Sequence, residues 1–451
     1  MKHIHEQHHD KRQVLAKAIT ALMLTGLCSI SNATNALTEV EALRQEVNEL
    51  KNMVHALTAQ QQVNAALSTS TVITTNANMV QAVKPITTMA KTADGWVTLP
   101  DGKTSAKPYG FIRADMLHDF KGQPTGKFSN LHTQPLNSTD PVENKTSFTA
   151  AVTRVGVDFK SPTAIGNIGG KIEGDFWGNG GTGNATFRIR HAYLTSGNWL
   201  FGQTWSPFAA QDYRAETVDS LGIVGSSNRR VSQIRYSHPV NNTSTTFMLA
   251  AEEDTSGDAR FPALSARLEH KLAEKKGAFT LSSMLHEKRG TATRVVNNQT
   301  QTAVDEKVGY GAALGAWYQL DIANKLTGQL FHVKGDGTFN QGTGRGFSVN
   351  AATAEVYFDE YNSAQLGLTH MFNPKIRSTL ALSWVDFNDS SDYAIANPTS
   401  NKNLTQATIN VFYTPAQNLA FASEYTYGKR EVFKGDEGKQ SHLNLMAQYS
   451  F

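Results

Sequence analysis

The sequence predicts an all-β transmembrane fold: a closed antiparallel barrel of sixteen strands, preceded by an N-terminal α-helical coiled coil. Three observations predict it. After residue 33 no stretch holds the ~18 consecutive apolar residues of a membrane-spanning helix, so a chain embedded in a membrane must cross with strands. From residue 108 onward, short segments alternate between apolar and polar residues and are separated by turn residues. The connections between these segments alternate short and long, as in a barrel with turns at one rim and loops at the other. A soluble sandwich has no reason to segregate loop lengths in this way.

Taken in order, residues 1–33 read as a signal peptide. Lys11, Arg12 and Lys17 flank the apolar run ALMLTGLCSI, and Ser31-Asn32-Ala33 supplies a small-x-small cleavage pattern. The run could also be read as a short buried helix, but the flanks favour the leader. HIHEQHH precedes the cut. Cys28 is the single cysteine, so the mature chain has none, which suits a Gram-negative envelope protein better than a small secreted domain. The net charge of +3 owes much to the leader: residues 1–33 carry four basic and two acidic residues, and their removal leaves +1. Only 18% of residues are charged, against about 25% in a typical soluble protein. Nothing in this balance calls for a nucleic-acid partner.

Residues 34–60 carry a heptad stripe. Val40, Leu43, Val47, Leu50, Val54 and Leu57 follow a 3-4-3-4-3 spacing, the a/d seam of a coiled coil, with Glu, Lys and Arg on the flanks. An amphipathic helix on its own domain is the alternative, but no spare apolar side faces anything else. About three heptads are marginal alone, so a larger body must help hold the chains together. Residues 61–107 form a polar linker with QQQ, STST and TT tracts, and GWVTLPDGKTS before the next domain reads as an ordered patch.

Residues 108–451 supply the barrel. Expected strands lie near 108–116, 148–160, 169–178, 185–196, 199–207, 231–239, 244–255 and 261–272. Others lie near 277–289, 308–320, 325–336, 362–372, 376–388, 403–414, 419–431 and 440–451. Turns at 196–198, 238–242, 272–276, 321–325, 372–375 and 414–418 alternate with expected loops at 117–147, 208–230, 290–307, 337–361 and 389–402. In the last segment Leu443, Leu445, Ala447, Tyr449 and Phe451 share one face and end the chain on an aromatic, which resembles the signal read by barrel-assembly machinery.

Alternation assigns faces, because successive strand side chains point to opposite sides. A lipid-facing Arg at the bilayer midplane costs about 2–4 kcal/mol. The charged residues therefore face inward. FRIRHAYL shows the logic: Arg188 and Arg190 point to the lumen, while Phe187, Ile189 and Tyr193 meet lipid or a neighbouring protomer. The expected lumen residues are Arg113, Arg154, Lys171, Arg188, Arg190, Arg235 and Arg267, with Arg214, Arg229 and Arg230 joining from the loop 208–230 if it folds inward. Such a ladder would pass small anions along weak sites. Asp115, Asp158, Glu173, Asp175 and Glu269 face the same way and are expected to pair with part of it.

The combination of these heptads with KPYGFIRADMLHDF (Lys107 to Phe120), FRIRHAYL and NWLFGQTWSPF (Asn198 to Phe208) resembles the DcaP-like trimeric porins of Acinetobacter and related bacteria. The resemblance implies a homotrimer of sixteen-stranded outer-membrane barrels with a periplasmic coiled coil, and passage of small dicarboxylates and other anions. Lipids and lipopolysaccharide would surround the barrel. Other chemistry is thin. GNGGTG (Gly178 to Gly183) has no following helix and reads as a hairpin loop. No HExxH, GxSxG or CxxC pattern occurs, and the histidines lack metal-ligand spacing, so no catalytic residue, cofactor or metal is expected. The alternatives are a general or phosphate-selective porin, and a structural tether with a plugged barrel.

Overall fold

The computed structural model describes residues 95–122, 127–136, 143–180, 185–254, 259–296 and 299–451. The leader, the heptad segment and most of the linker lie outside the described residues.

Sixteen antiparallel strands close into one barrel. In chain order they are β1 (Ser105–Lys121), β2 (Arg154–Thr163, with a separate upper piece, Lys145–Thr149), β3 (Gly166–Asp175), β4 (Arg188–Ser196), β5 (Trp199–Trp205), β6 (Arg230–Pro239), β7 (Thr245–Glu252) and β8 (Ala263–Lys271). They continue as β9 (Gly277–Val296), β10 (Gln299–Gln319), β11 (Asn324–Lys334), β12 (Glu360–Asn373), β13 (Ile376–Phe387), β14 (Asn401–Ala416), β15 (Leu419–Val432) and β16 (Glu437–Ser450). Each strand pairs with the next, and β16 returns to β1, with Ile112 opposite Tyr449. Phe451 completes the seam by exchanging backbone hydrogen bonds with Gly110, at 3.0 and 3.1 Å. Closure leaves no strand edge in the membrane, where unpaired backbone groups would cost several kcal/mol each.

The outer face is apolar. Ile112, Ile172, Ile189, Ile234, Leu264, Leu314, Leu366 and Ile409 are exposed, as lipid-facing side chains must be. Exposed Tyr310 and Tyr318 on β10 bracket the apolar positions between them, about 27 Å apart along the strand at ~3.4 Å per residue. That matches an apolar band between two aromatic girdles.

Three expectations about strands and their connections need correction. Residues 290–307 are not a loop: β9 and β10 run on past their neighbours, paired as far as Val296 opposite Gln299. The threonine- and valine-rich stretch 291–304 has high strand propensity, and its polar side chains only hid the alternation. The expected strand 148–160 is interrupted, because Ala150–Thr153 turns inward and buries Ala151 and Val152 against Phe128 and Trp177. The first barrel strand also starts at Ser105, and Val97–Thr98 pairs with its beginning.

Candidate functional site

The site is built on β1–β6. Arg113, Arg154, Lys171, Arg188, Arg190, Arg235 and Arg267 all lie on the side opposite the exposed apolar residues of their strands. Strand register then decides their partners. Arg188 faces Asp175 across the β3–β4 ladder and grips it with two bonds, Nε to Oδ1 at 2.7 Å and Nη2 to Oδ2 at 3.1 Å. Arg190 donates to both Glu173 Oε1 and Asp175 Oδ2 at 2.8 Å. Arg154 Nε stands 3.5 Å from Glu173. Arg113 forks onto Asp115 at 2.6 and 2.9 Å. Lys171 pairs with Asp158 at 2.9 Å and donates to the Tyr109 hydroxyl oxygen at the same distance. Tyr109 in turn donates to Glu173 at 2.9 Å, and its ring lies where any side chain at Gly156 would collide with it. Arg267 pairs with Glu269 and sits over the Tyr213 ring.

A β-bulge shapes this wall. Arg190 is the extra residue: Gly174 opposes Ile189, and Glu173 opposes His191. A bulge shifts the alternation by one residue and re-aims side chains, so Arg190 and His191 both point inward. The shift also overturns the expected position of Tyr193. It opposes Lys171 on the lumen side and packs against His191, while Leu194 takes the lipid-facing place. Gln203 supports the bulge by donating to the carbonyls of Ile189 and Arg190, at 3.0 and 3.4 Å.

The segment 206–229 folds into the barrel. Its backbone meets inward-facing side chains of β1, β9, β11, β12, β14 and β15, among them Arg113, Ser282, Gln329, Gln365, Gln406 and Glu424. A short antiparallel contact, Ser227 with Asn340, joins it to the connection 335–359. Residues 127–136 add Ser129, whose amide donates to Asp219 at 2.7 Å. The three connections pack around Leu131, Phe208, Val224, Phe339 and Tyr361 on the β9–β15 side.

What stays open on the other side is a polar cavity of about 250 Å³, lined by Arg154, Arg188, Arg190, Arg214 and Arg230, with Asp175, Trp177, Trp205, Gln211 and Asn228. Five guanidiniums meet two directly paired carboxylates here, Asp175 in the lining and Glu173 behind it, while Asp219 faces Arg214 without an ion pair, so the basic groups outnumber the acids. Arg154, Arg188 and Arg190 consume the two acids. Arg214 is held instead by neutral acceptors, Gln211 Oε1 at 2.8 Å and Leu221 O at 2.9 Å. Gly222, at φ +80°, leaves room for its guanidinium, which any side chain there would strike. Arg230 stacks on Trp205, its cross-strand partner, at 4.2 Å. Among the described residues neither has a carboxylate within 4.0 Å, and the same holds for Arg235, further along β6 towards the short-turn rim. Arg229 lies over Phe339, away from the cavity lining.

Burial raises the Asp219 carboxyl from 3.8 to about 6, against the weaker downward pull of His442 and Arg113, with Glu424 and Arg214 also facing it. The docked segment therefore binds a proton that the free segment releases between about pH 4 and 6. Docking through this group strengthens as pH falls through 6 and weakens as pH rises through it. Protonation also removes a negative charge beside Arg214.

A closed barrel of sixteen strands, apolar outside and polar within, defines a membrane β-barrel of the porin class. The chain belongs to the DcaP outer membrane protein family, whose model matches residues 36–451. It is similar to the outer membrane channel DcaP of Acinetobacter baumannii, at 30% identity and a TM-score of 0.69, over 80% of this chain and 99% of that one. OmpT of Vibrio cholerae, expressed in the outer membrane, shares the fold at 11% identity and a TM-score of 0.52, over 78% of this chain and 100% of that one. Its trimer form matches at 12% identity and a TM-score of 0.51, over 77% and 100%. No curated protein matches the chain.

The sequence had marked the arginines but not Tyr109, Trp177, Trp205, Gln211 or Asn228. One signal for the inward loop was available: Gln329, Gln365, Gln406 and Gln440 sit at inward positions of β11, β12, β14 and β16. Amides both donate and accept, and a wall of them suits a docked backbone better than a water-filled lumen.

Proposed function

We propose that this outer-membrane protein is a passive channel for small anions, dicarboxylates foremost, and that Arg214 and Arg230 set its selectivity. The observation that carries the reading is the charge excess in the cavity: three arginines are ion-paired with two acids, and among the described residues Arg214 and Arg230 make no ion pair within 4.0 Å. Guanidinium forks suit carboxylates, and a site that binds too tightly would not conduct. Arg235 offers a further basic contact about 17 Å along β6 from Arg230, at ~3.3 Å per residue, so an anion leaving the cavity meets a second weak site. In this reading the long-loop rim faces outside. The signal peptide, residues 1–33, directs export, and the coiled coil, residues 34–60, lies in the periplasm. Three barrels associate, as the OmpT trimer form does.

The plugged-tether reading draws support from the loops packed against β9–β15. One experiment separates the two. In a planar bilayer bathed in potassium chloride, succinate added at millimolar concentration should reduce the chloride current by competing for Arg214 and Arg230, and acetate should do so less. A channel blocked equally by both would lose the dicarboxylate preference. A silent bilayer would favour the tether.

A further inference from the structure

Arg214 reaches the cavity only because the stretch 213–219 is tied to the opposite wall, and the tie is made almost entirely through backbone groups. Glu424 of β15, buried at 2% exposure, accepts the amide of Val218 at 2.6 Å and that of Asp219 at 2.9 Å. Asn410 of β14 bonds Glu424 at 3.1 Å and donates to the Glu216 carbonyl at 2.8 Å. Gln365 of β12 takes the Ala215 amide at 3.2 Å and gives to the Tyr213 carbonyl at 2.9 Å. Arg377 of β13 grips the Glu216 carboxylate with two bonds, at 2.7 and 2.8 Å. From the other side Arg113 donates to the Val218 carbonyl at 2.5 Å. Polar backbone groups on both sides of Arg214 are thus bound by wall side chains, and its own guanidinium is turned to the cavity.

We propose that Glu424 is a positioning residue for selectivity. Its carboxylate, supported by Arg377 and Gln365, clamps the inward segment by its backbone and so holds Arg214 among Arg154, Arg188, Arg190 and Arg230. The placement has an electrostatic cost, because it brings a fifth guanidinium among four others. Like charges at short range repel one another even in bulk water. A free segment would carry Arg214 away, and the bonds at Glu424 oppose that drift. A carboxylate suits the task, since charge-assisted bonds to backbone amides are about twice as strong as neutral ones. The clamp deepens the anion-channel reading and, for its selectivity arm, rests on it.

Full-length Glu424→Ala, Arg377→Ala, Arg214→Ala and the Glu424→Ala/Arg214→Ala pair test it in planar bilayers, with heat-modifiable gel migration as the check on folding. Glu424→Ala should raise the open-channel conductance and its fluctuations. It should also move the reversal potential in a salt gradient by as much as Arg214→Ala does, and the pair should move it no further. Arg377→Ala, which leaves the buried acid in place, should produce a smaller change in the same direction, and it decides the matter if Glu424→Ala does not fold. A folded Glu424→Ala barrel with wild-type conductance and selectivity would overturn the proposal. So would a selectivity loss that adds in full to that of Arg214→Ala. If the wild type itself shows no anion preference, the channel reading fails on its own, and the conductance increase still reports whether the clamp exists.

Discussion

Arg230→Ala should cost the channel more anion preference than any other single substitution, with little loss of barrel stability. Arg230 has no carboxylate to leave stranded, and its contact with Trp205 is made from the end of a strand. Its charge nevertheless falls on whatever anion occupies the cavity. At about 5 Å a unit charge is worth ~0.8 kcal/mol in bulk water and ~3 kcal/mol at an effective dielectric of about 20. Local anion occupancy should therefore drop by about fourfold to about a hundredfold, and the reversal potential should move towards zero. Arg214→Ala belongs to the same class. Arg190→Ala does not: it strands parts of Glu173 and Asp175, which are buried at 6% and 1% exposure, so it should weaken the wall first. If Arg190→Ala and Arg230→Ala proved equal in both stability and selectivity, the division into paired and unpaired arginines would be wrong.

The largest stability effect is expected at Lys288. It is fully buried on β9 and bridges Asp254 at 2.7 Å and Asp336 at 2.6 Å, tying the connections 253–262 and 335–359 to the long β9–β10 hairpin. Lys288→Met keeps most of the volume and removes the charge. It leaves two carboxylates in one buried place, and breaking a buried ion pair in this way costs ~3–5 kcal/mol. Thermal unfolding in detergent should show a large drop, and Lys288→Met combined with Asp254→Asn and Asp336→Asn should recover much of it. A single variant as stable as the wild type would mean that water reaches the triad.

Much of this was legible in the sequence, and the reasons differ by element. Each of the sixteen expected strand segments overlaps an observed strand, because lipid on one side and water on the other force the period-two pattern. The inward placement of Arg113, Arg154, Arg188, Arg190, Arg235 and Arg267 follows from the same constraint. Pairing was harder to read. Asp175 with Arg188, or Lys171 with Asp158, depends on strand register, which the residue types alone leave open. The bulge at Arg190 is a one-residue event with no glycine or proline to mark it, and it reversed the side of Tyr193. The clamp was out of reach, since Val218 and Glu424 stand far apart in the chain and meet only across the closed barrel. Residues 290–307 misled because a strand that runs beyond the apolar band needs no apolar face.

The central claim is that an open lumen with an uncompensated positive cavity passes anions in preference to cations. The most direct test is the zero-current potential of the wild-type protein in a planar bilayer across a potassium chloride gradient at neutral pH. The account predicts a stable open-state current and a reversal potential of the sign set by chloride, reduced in Arg230→Ala. A reversal potential of the sign set by potassium, or no current from correctly folded protein, would contradict it.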